Sequence, residues 1–298
     1  MTMTCIRRSF RLLAVFLAFA AVPALASSKT SPAPAYTDNG FQPGLLDASM
    51  PRAARMKLFA HMIALANHGQ VPAQDLAGTL YWRGARIHGS PVGTQLVQAR
   101  KLLANAAIHG DTLAMAKLGE LELEAGRKSR AMVWAQLYAR YVNPMALQRG
   151  HHGGDTAYAS SLIGRILKAG GKIDKTTRIR VASMVQRFDK SIRRGIDAYQ
   201  NKKRSGRIFL VQGQAGAPPR DIDNVSGVAE YVIGFDPDGK PLRIITLDAF
   251  PDPALAGKLR GTLDHVRANP NHDVTGTRYL RVSLTHNAMK FNQLRATH

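Results

Sequence analysis

The spacing of hydrophobic positions changes near residue 207. Before it, apolar residues recur every three or four positions, as at Met56, Phe59 and Ile63, which predicts amphipathic helices. After it, β-branched and aromatic residues form short runs between Gly and Pro, which predicts strands. We therefore expect an α+β fold, with helices over residues 50–206 followed by a small α+β domain over residues 207–298.

The helical part repeats itself. Ala66–Gly69 returns as Ala107–Gly110, and Gly78–Leu80 returns as Gly119–Leu121, in both cases 41 residues later. Small residues allow two helices to approach closely, and a Gly after a helix adopts the left-handed cap that other residues avoid. This pattern predicts a solenoid of helix-turn-helix repeats over residues 50–175.

A looser third copy begins at Gly154, and at this point the residues resemble the Sel-one-like repeats, relatives of the tetratricopeptide repeats. The positions that match the pattern and define the repeat are Gly78, Leu80, Tyr81, Gly84, Ala107, Gly110, Leu118 and Gly119. The second copy departs by having Glu122 at the aromatic position, and the third has Gly164 but no tyrosine. The resemblance implies a curved protein-binding surface without catalytic residues.

The C-terminal part contains a short strand over residues 208–211, a hairpin and a closing strand. Strands over 228–235 and 241–247 flank the turn Asp236–Lys240, a helix is expected over 253–267, and the closing strand over 278–285. This order resembles the C-terminal domain of TonB, the energy transducer of Gram-negative envelopes. The matching positions are Gly227, Val228, Val232, Phe235, Asp238, Gly239, Ile244, Pro270 and Gly276, whereas the aromatic residue before the family's proline and the proline-rich spacer are missing.

The TonB resemblance implies that an extended peptide, as from an outer-membrane receptor, adds to the sheet edge. We expect that edge to be the closing strand. The candidate peptide-binding residues are Arg278, Leu280, Arg281, Val282, Ser283 and Leu284, with the two arginines favouring an acidic ligand. The alternative is that arginines on an edge strand prevent unwanted strand pairing with other chains.

A basic amphipathic helix is predicted over residues 176–206, between the repeats and the C-terminal domain. Ten basic residues lie between Arg178 and Arg207 against two acidic ones. The candidates for binding an anionic lipid or polysaccharide surface are Arg187, Arg193, Arg194, Lys202, Lys203 and Arg204. The alternative is a solvated outer face on a helix that closes the solenoid.

The first residues resemble a cleavable secretory signal peptide. Three arginines up to Arg11 precede an apolar run from Leu12 to Leu25, and Ala24-Leu25-Ala26 offers small residues for cleavage after Ala26. We expect a signal peptide over residues 1–26, a flexible lead-in over 27–49 and a periplasmic protein. An uncleaved anchor and export through the twin-arginine route, suggested by Arg7-Arg8, are the alternatives.

The charge of the chain indicates which partners it attracts, and its cysteine content limits the chemistry available to it. The chain carries a formal charge of +21, which favours anionic lipids and cell-wall polymers in an envelope, and we expect no nucleic acid. Its one cysteine, Cys5, lies inside the predicted signal peptide. The mature chain is therefore expected to have neither disulfides nor thiolate chemistry.

Catalytic and metal-binding patterns are weak. The histidine pairs His151-His152 and His61 with His68 lack further ligands at suitable spacing, and Asp236–Gly239 is explained by a hairpin turn. We expect no cofactor, no metal and no enzymatic activity, and interpret the chain as an envelope protein-protein interaction protein. The rival interpretation is a hydrolase acting on cell wall or polysaccharide, which two carboxylates meeting in one cleft would favour.

Overall fold

A computed structural model describes residues 41–148, 154–204, 211–212, 226–270 and 276–286. The predicted signal peptide, most of the lead-in and the His151-His152 pair lie outside these residues. All described residues belong to one compact unit.

Seven α-helices occupy the described chain up to Arg204, and a short 3-10 helix follows the second of them at Gly84–Arg86. The α-helices are α1 (Arg52–Asn67), α2 (Val71–Arg83), α3 (Leu96–Ile108), α4 (Thr112–Glu124), α5 (Lys128–Gln148), α6 (Gly154–Lys168) and α7 (Lys175–Arg204). From α1 to α6, each helix packs against the next one along the chain. Both α2 and α4 have 13 residues and begin 41 residues apart, in step with the sequence repeat. Asp111 caps α4, because its carboxylate accepts a hydrogen bond from the Ala114 amide at 3.1 Å.

The repeated glycines lie where the backbone or a neighbour requires them. Gly110 has a φ of 97°, and a Cβ there would come within 2.6 Å of the Ile196 amide nitrogen in α7. A Cβ at Gly78 would lie 2.8 Å from Leu103 Cγ, and one at Gly119 would lie 2.9 Å from a methyl carbon of Leu162. These distances confirm that both glycines mark close helix approach.

The apolar face of α7 packs against the other helices. Its core-facing side chains are Val181, Met184, Val185, Phe188, Ile192 and Ile196, which lie in the same cluster as residues of α3 and α5. Gly195 touches the α3 C-terminus so closely that a Cβ would lie 1.8 Å from the His109 carbonyl oxygen. The apolar face of the predicted amphipathic helix therefore belongs to the core.

A three-stranded antiparallel sheet follows, with strand order β3-β2-β5. Its strands are β2 (Gly227–Phe235), β3 (Pro241–Phe250) and β5 (Arg278–His286), and a second, two-stranded sheet pairs β1 (Val211–Gln212) with β4 (Arg267–Ala268). The predicted strands over 228–235, 241–247 and 278–285 are confirmed, with longer ends. Of the strand expected over 208–211, only residue 211 is described, and it begins β1.

The helix expected over 253–267 is shorter in the structure. It runs as α8 (Ala254–Arg260) and continues as a 3-10 turn over Gly261–His265. Gly261 has a poor helix propensity, and the Thr262 hydroxyl donates to the Leu259 carbonyl at 2.7 Å. The predicted helix is therefore found over residues 254–265, but its last five residues form a 3-10 helix and β4 begins at Arg267. An apolar stripe does not distinguish an α-helix from a helix that tightens at its end.

The central strand β2 is buried along its whole length. Ala229, Tyr231 and Ile233 face α8, and the Tyr231 hydroxyl donates to the Ala256 carbonyl at 2.7 Å. Val228 and Val232 face the helices of the N-terminal part. The sheet therefore lies between a helical layer and α8, which is a mixed α+β arrangement.

Part of the predicted lead-in belongs to this core. Residues 41–50 form turns, and Phe41, Leu45 and Leu46 are buried beside α1 and α2. Their apolar side chains explain why this segment packs although it contains Pro43 and Gly44.

Candidate functional site

Four charged side chains from the helices and the sheet meet beneath the sheet. Lys117 of α4 places its Nζ 2.8 Å from Asp75 Oδ2 of α2 and 2.6 Å from Glu230 Oε2 of β2. Arg281 of β5 places its Nη1 2.6 Å from the same Asp75 oxygen and its Nε 3.4 Å from Glu230 Oε1. The side chains of Asp75, Lys117 and Glu230 are fully buried, and that of Arg281 is 16% exposed. We call these four residues the ionic cluster.

Residues of α2 supply hydrogen-bond partners for the Lys117 ammonium group. Asp75 and Thr79 lie one turn apart on α2, and the Thr79 hydroxyl accepts a hydrogen bond from Lys117 Nζ at 2.8 Å while donating to the Asp75 carbonyl at 2.9 Å. Lys117 Nζ thus donates hydrogen bonds to Asp75 and Thr79, and Glu230 Oε2 adds an ionic contact at 2.6 Å. A buried ammonium is tolerated only when opposite charges lie close to it and hydrogen bonds replace those it made with water.

Electrostatic interactions inside the cluster favour the charged forms of Asp75 and Lys117. Burial opposes ionisation of Asp75, but the positive charges of Arg281 and Lys117 outweigh it and lower the pKa of the carboxyl. Burial likewise opposes charge on Lys117, while Asp75 and Glu230 together raise the pKa of its ammonium. The charged forms of Asp75 and Lys117 are therefore both favoured.

Asp111 lies at the rim of the ionic cluster, with Oδ2 3.6 Å from Arg281 Nη2. Burial and the nearby charge of Asp75 raise the pKa of Asp111 to about 6. This carboxyl is the cap of α4, so its charge state affects both the cluster and the helix terminus.

A second buried pair ties β3 to α2. Arg83 Nε lies 2.7 Å from Asp248 Oδ1, and Arg83 Nη1 lies 2.9 Å from Glu124 Oε1. The guanidinium stacks 3.5 Å above the Trp82 ring, whose Nε1 donates to Glu124 at 3.0 Å. Burial raises the pKa of Asp248 to about 7, against the opposing charge of Arg83. Each strand of the three-stranded sheet thus contributes one charged residue that binds helices.

The ionic cluster bears on the hydrolase interpretation. Asp75 and Glu230 do converge, as that interpretation requires, but both are fully buried and each is paired with Lys117 and Arg281. A general acid or base needs access to substrate, so this convergence does not favour hydrolysis. Among the described residues, no group of three or more His, Cys, Asp or Glu side chains is arranged to hold a metal ion.

The motifs and repeats of the sequence did not indicate the ionic cluster. The available signal was the placement of charged residues on apolar faces: Asp75 and Lys117 on the buried faces of their helices and Glu230 inside a run of β-formers. Periodicity alone could not pair them, because their partners lie on other elements.

The predicted peptide edge, β5, pairs only with β2 among the described residues, and α6 contacts it. Leu280, Val282 and Leu284 are alternate residues of β5 and pack towards α8. Ser283 is the exposed residue of this strand.

The two arginines of β5 face inward partners. Arg281 belongs to the ionic cluster, and Arg278 is buried and donates to the Asn269 carbonyl at 2.8 Å. An acidic peptide would have to displace these contacts before pairing with either charge.

The opposite edge of the sheet is more open. The first half of β3, residues 241–246, is exposed or half-buried, and 62% of the surface of Leu242 is accessible to solvent. Within the described chain, β3 pairs with β2 alone. The sheet therefore has two candidate edges for an added strand.

The other predicted residues occupy helices and their ends. Leu80, Ala107 and Leu118 are fully buried, and Tyr81 packs edge-on against Phe59 at 5.1 Å between ring centroids. Gly84 has a φ of 54° at the end of α2. On α7, Arg187, Arg193 and Arg194 are exposed, whereas the side chains of Lys202, Lys203 and Arg204 lie outside the described residues.

Comparisons with protein-family models, with curated proteins and with solved structures find no match for this chain. None of the helices in the described ranges is long and apolar enough to cross a membrane.

Proposed function

We propose that this chain is an exported, periplasmic interaction protein that binds envelope proteins through its helical repeats and an extended peptide through its sheet. In this proposal the helices form a Sel-one-like solenoid and the sheet a TonB C-terminal-like domain. The 41-residue offset between α2 and α4 and the close approaches at Gly78 and Gly119 support the first part. The strand order β3-β2-β5 with α8 on one face supports the second.

The observation that carries the peptide proposal is the anchoring of β5. One of its sides pairs with the buried strand β2, and its Arg281 binds Asp75 of α2 at 2.6 Å. An edge strand fixed in this way loses little conformational entropy when a partner strand adds to it. Backbone hydrogen bonds supply the affinity, so the ligand is an extended segment of an envelope protein, such as an outer-membrane receptor.

Amide chemical shifts test this proposal. On titration with receptor-derived peptides, we expect shifts to cluster on residues 278–285. Neighbouring residues of a strand direct their amides to opposite sides, so prolines at Val282 and Ser283 remove one amide that faces β2 and one that faces outward. The variant that keeps native circular dichroism and melting is the informative one, and it should lose peptide binding.

The matched controls replace Val282 and Ser283 with threonine, which keeps the amide and favours strands. Peptide binding should survive in these controls. Shifts that cluster on residues 241–246 would overturn the assignment to β5 and place the site on β3. Shifts confined to the helices would contradict strand addition altogether.

A further inference from the structure

The outer face of α7 carries a row of cations. Arg187, Lys190 and Arg194 are exposed and spaced three and four residues apart, so they lie along one side of the helix. Their row is about 10 Å long at 1.5 Å per residue. Within the described residues, none of the three forms an ion pair, and the apolar side of α7 is buried against α3 and α5. We call Arg187, Lys190 and Arg194 the basic row.

The surroundings of the basic row are also positive. Arg140 of α5 and Arg180 and Arg193 of α7 are exposed as well. Two acidic residues of α7 oppose them. Asp189 is already bound by Arg193 at 2.7 Å and by the Tyr141 hydroxyl at 2.9 Å, which leaves Asp197 as the exposed carboxylate beyond Arg194.

We infer that the basic row docks the protein on the surface of an anionic phospholipid bilayer. Guanidinium and ammonium groups without a carboxylate partner bind phosphate oxygens strongly, and a row along a helix meets a flat array of headgroups. The excess of 41 Lys and Arg over 20 Asp and Glu adds long-range attraction to such a surface.

The packing of α7 fixes the mode of binding. An amphipathic helix that inserts into a bilayer needs a free apolar face, and here that face belongs to the protein core. The docking is therefore peripheral, electrostatic and weakened by salt. It uses residues other than those of the proposed peptide edge, so the two activities are separable.

Vesicle sedimentation with the full chain tests this inference. The parent should bind vesicles that contain phosphatidylglycerol, leave neutral phosphatidylcholine vesicles in the supernatant and dissociate at high salt. The neutral vesicles also control for apolar insertion of residues 1–26. Replacing Arg187, Lys190 and Arg194 with glutamine should weaken binding about a hundredfold, since each cation near an anionic surface contributes about a factor of five.

A matched variant distinguishes the effect of the basic row from the effect of net charge alone. Lys57 of α1, Lys101 of α3 and Lys240 in the turn between β2 and β3 are exposed and carry the same total charge, and their replacement by glutamine should reduce binding much less. An equal loss in both variants would show that only net charge matters and would overturn the inference. Row-dependent binding of soluble inorganic polyphosphate without vesicle binding would also overturn it, by assigning the row to a soluble polyanion. Peptide titration without lipid is unaffected by either result.

Discussion

Lys117 Nζ lies 2.6 Å from Glu230 Oε2, and both side chains are completely buried. The lysine belongs to the helical part and the glutamate to the central strand of the sheet, so this contact forms only when the two parts pack together. Asp75 and Arg281 complete the cluster from the same two parts. The ionic cluster therefore ties the geometry of the proposed binding edge to the helices.

Replacing Lys117 tests whether the ionic cluster stabilises the packing of the sheet on the helices. Lys117→Met leaves Asp75 and Glu230 buried with one cation between them, and breaking a buried pair in this way costs about 3–5 kcal/mol. We expect urea denaturation to show a loss in that range. Lys101→Met makes the same chemical change at an exposed position of α3 and should alter the free energy of unfolding by less than about 0.5 kcal/mol. Parent-like stability in both variants would mean that the cluster does not support the fold.

The buried carboxyl of Asp248 predicts a pH dependence. Its pKa in the folded protein is raised to about 7, above the value of about 3.9 for an unfolded aspartate. The folded state therefore binds this proton more tightly, and the stability it contributes is lost as the pH rises from about 4 through 7. Asp248→Asn cannot ionise, so its stability relative to the parent should increase over this range.

Denaturation of the parent and of Asp248→Asn at several pH values measures that difference. The pKa of Asp111 is also raised and that of Asp75 is lowered. Both residues titrate in the parent and in the variant, so their contributions largely cancel in the difference in stability. A difference in stability that stays constant with pH would show that Asp248 is ionised throughout.

The helix glycines predict a graded response to valine. A Cβ at Gly78 would lie 2.8 Å from Leu103 Cγ and 3.2 Å from its backbone nitrogen, whereas at Gly119 the neighbour is the end of the Leu162 side chain. Gly164 has open space around it. We expect Gly78→Val to lower the Tm most and Gly119→Val by several degrees, because overpacking costs about 1–3 kcal/mol. Gly164→Val is the control and should melt near the parent, and equal melting of all three would remove the physical basis of the repeat.

The fold was predictable where the residues of a single helix or strand are enough to indicate that element. The repeat at Gly78 and Gly119, the basic helix and the three long strands follow from local periodicity and turn residues. The 3-10 end of α8 and the buried turn at Phe41 did not, because their structure depends on what packs against them.

The candidate site was only half predictable for the same reason. The alternation of β5 placed Leu280, Val282 and Leu284 on one face correctly. The sequence offered no way to see that Arg281 reaches Asp75, since pairing across elements depends on how the sheet packs on α2 and α4. A charge that looked available for a ligand therefore proved to have an internal partner.

The predicted export signal has a direct test. The basic front at Arg7-Arg8 and the small residues at Ala24-Leu25-Ala26 predict that residues 1–26 are absent from the mature protein. The intact mass of protein purified from the periplasm should correspond to a chain that begins at Ser27. A species that begins at Met1 and partitions with membranes would contradict cleavage and favour an anchored protein.

Site-specific photocrosslinking in intact envelopes tests the proposed interaction most directly. A photoreactive residue at Ser283, the exposed position of β5, should form an adduct with an envelope protein, and the proline variant that abolishes peptide binding should abolish the adduct. The control position is Val97 on α3, which is 75% exposed and far from any strand in the sequence. An adduct at Ser283 that is absent at Val97 is the result we predict. No adduct at Ser283, or the same adducts at both positions, would contradict an interaction protein that binds through its sheet edge.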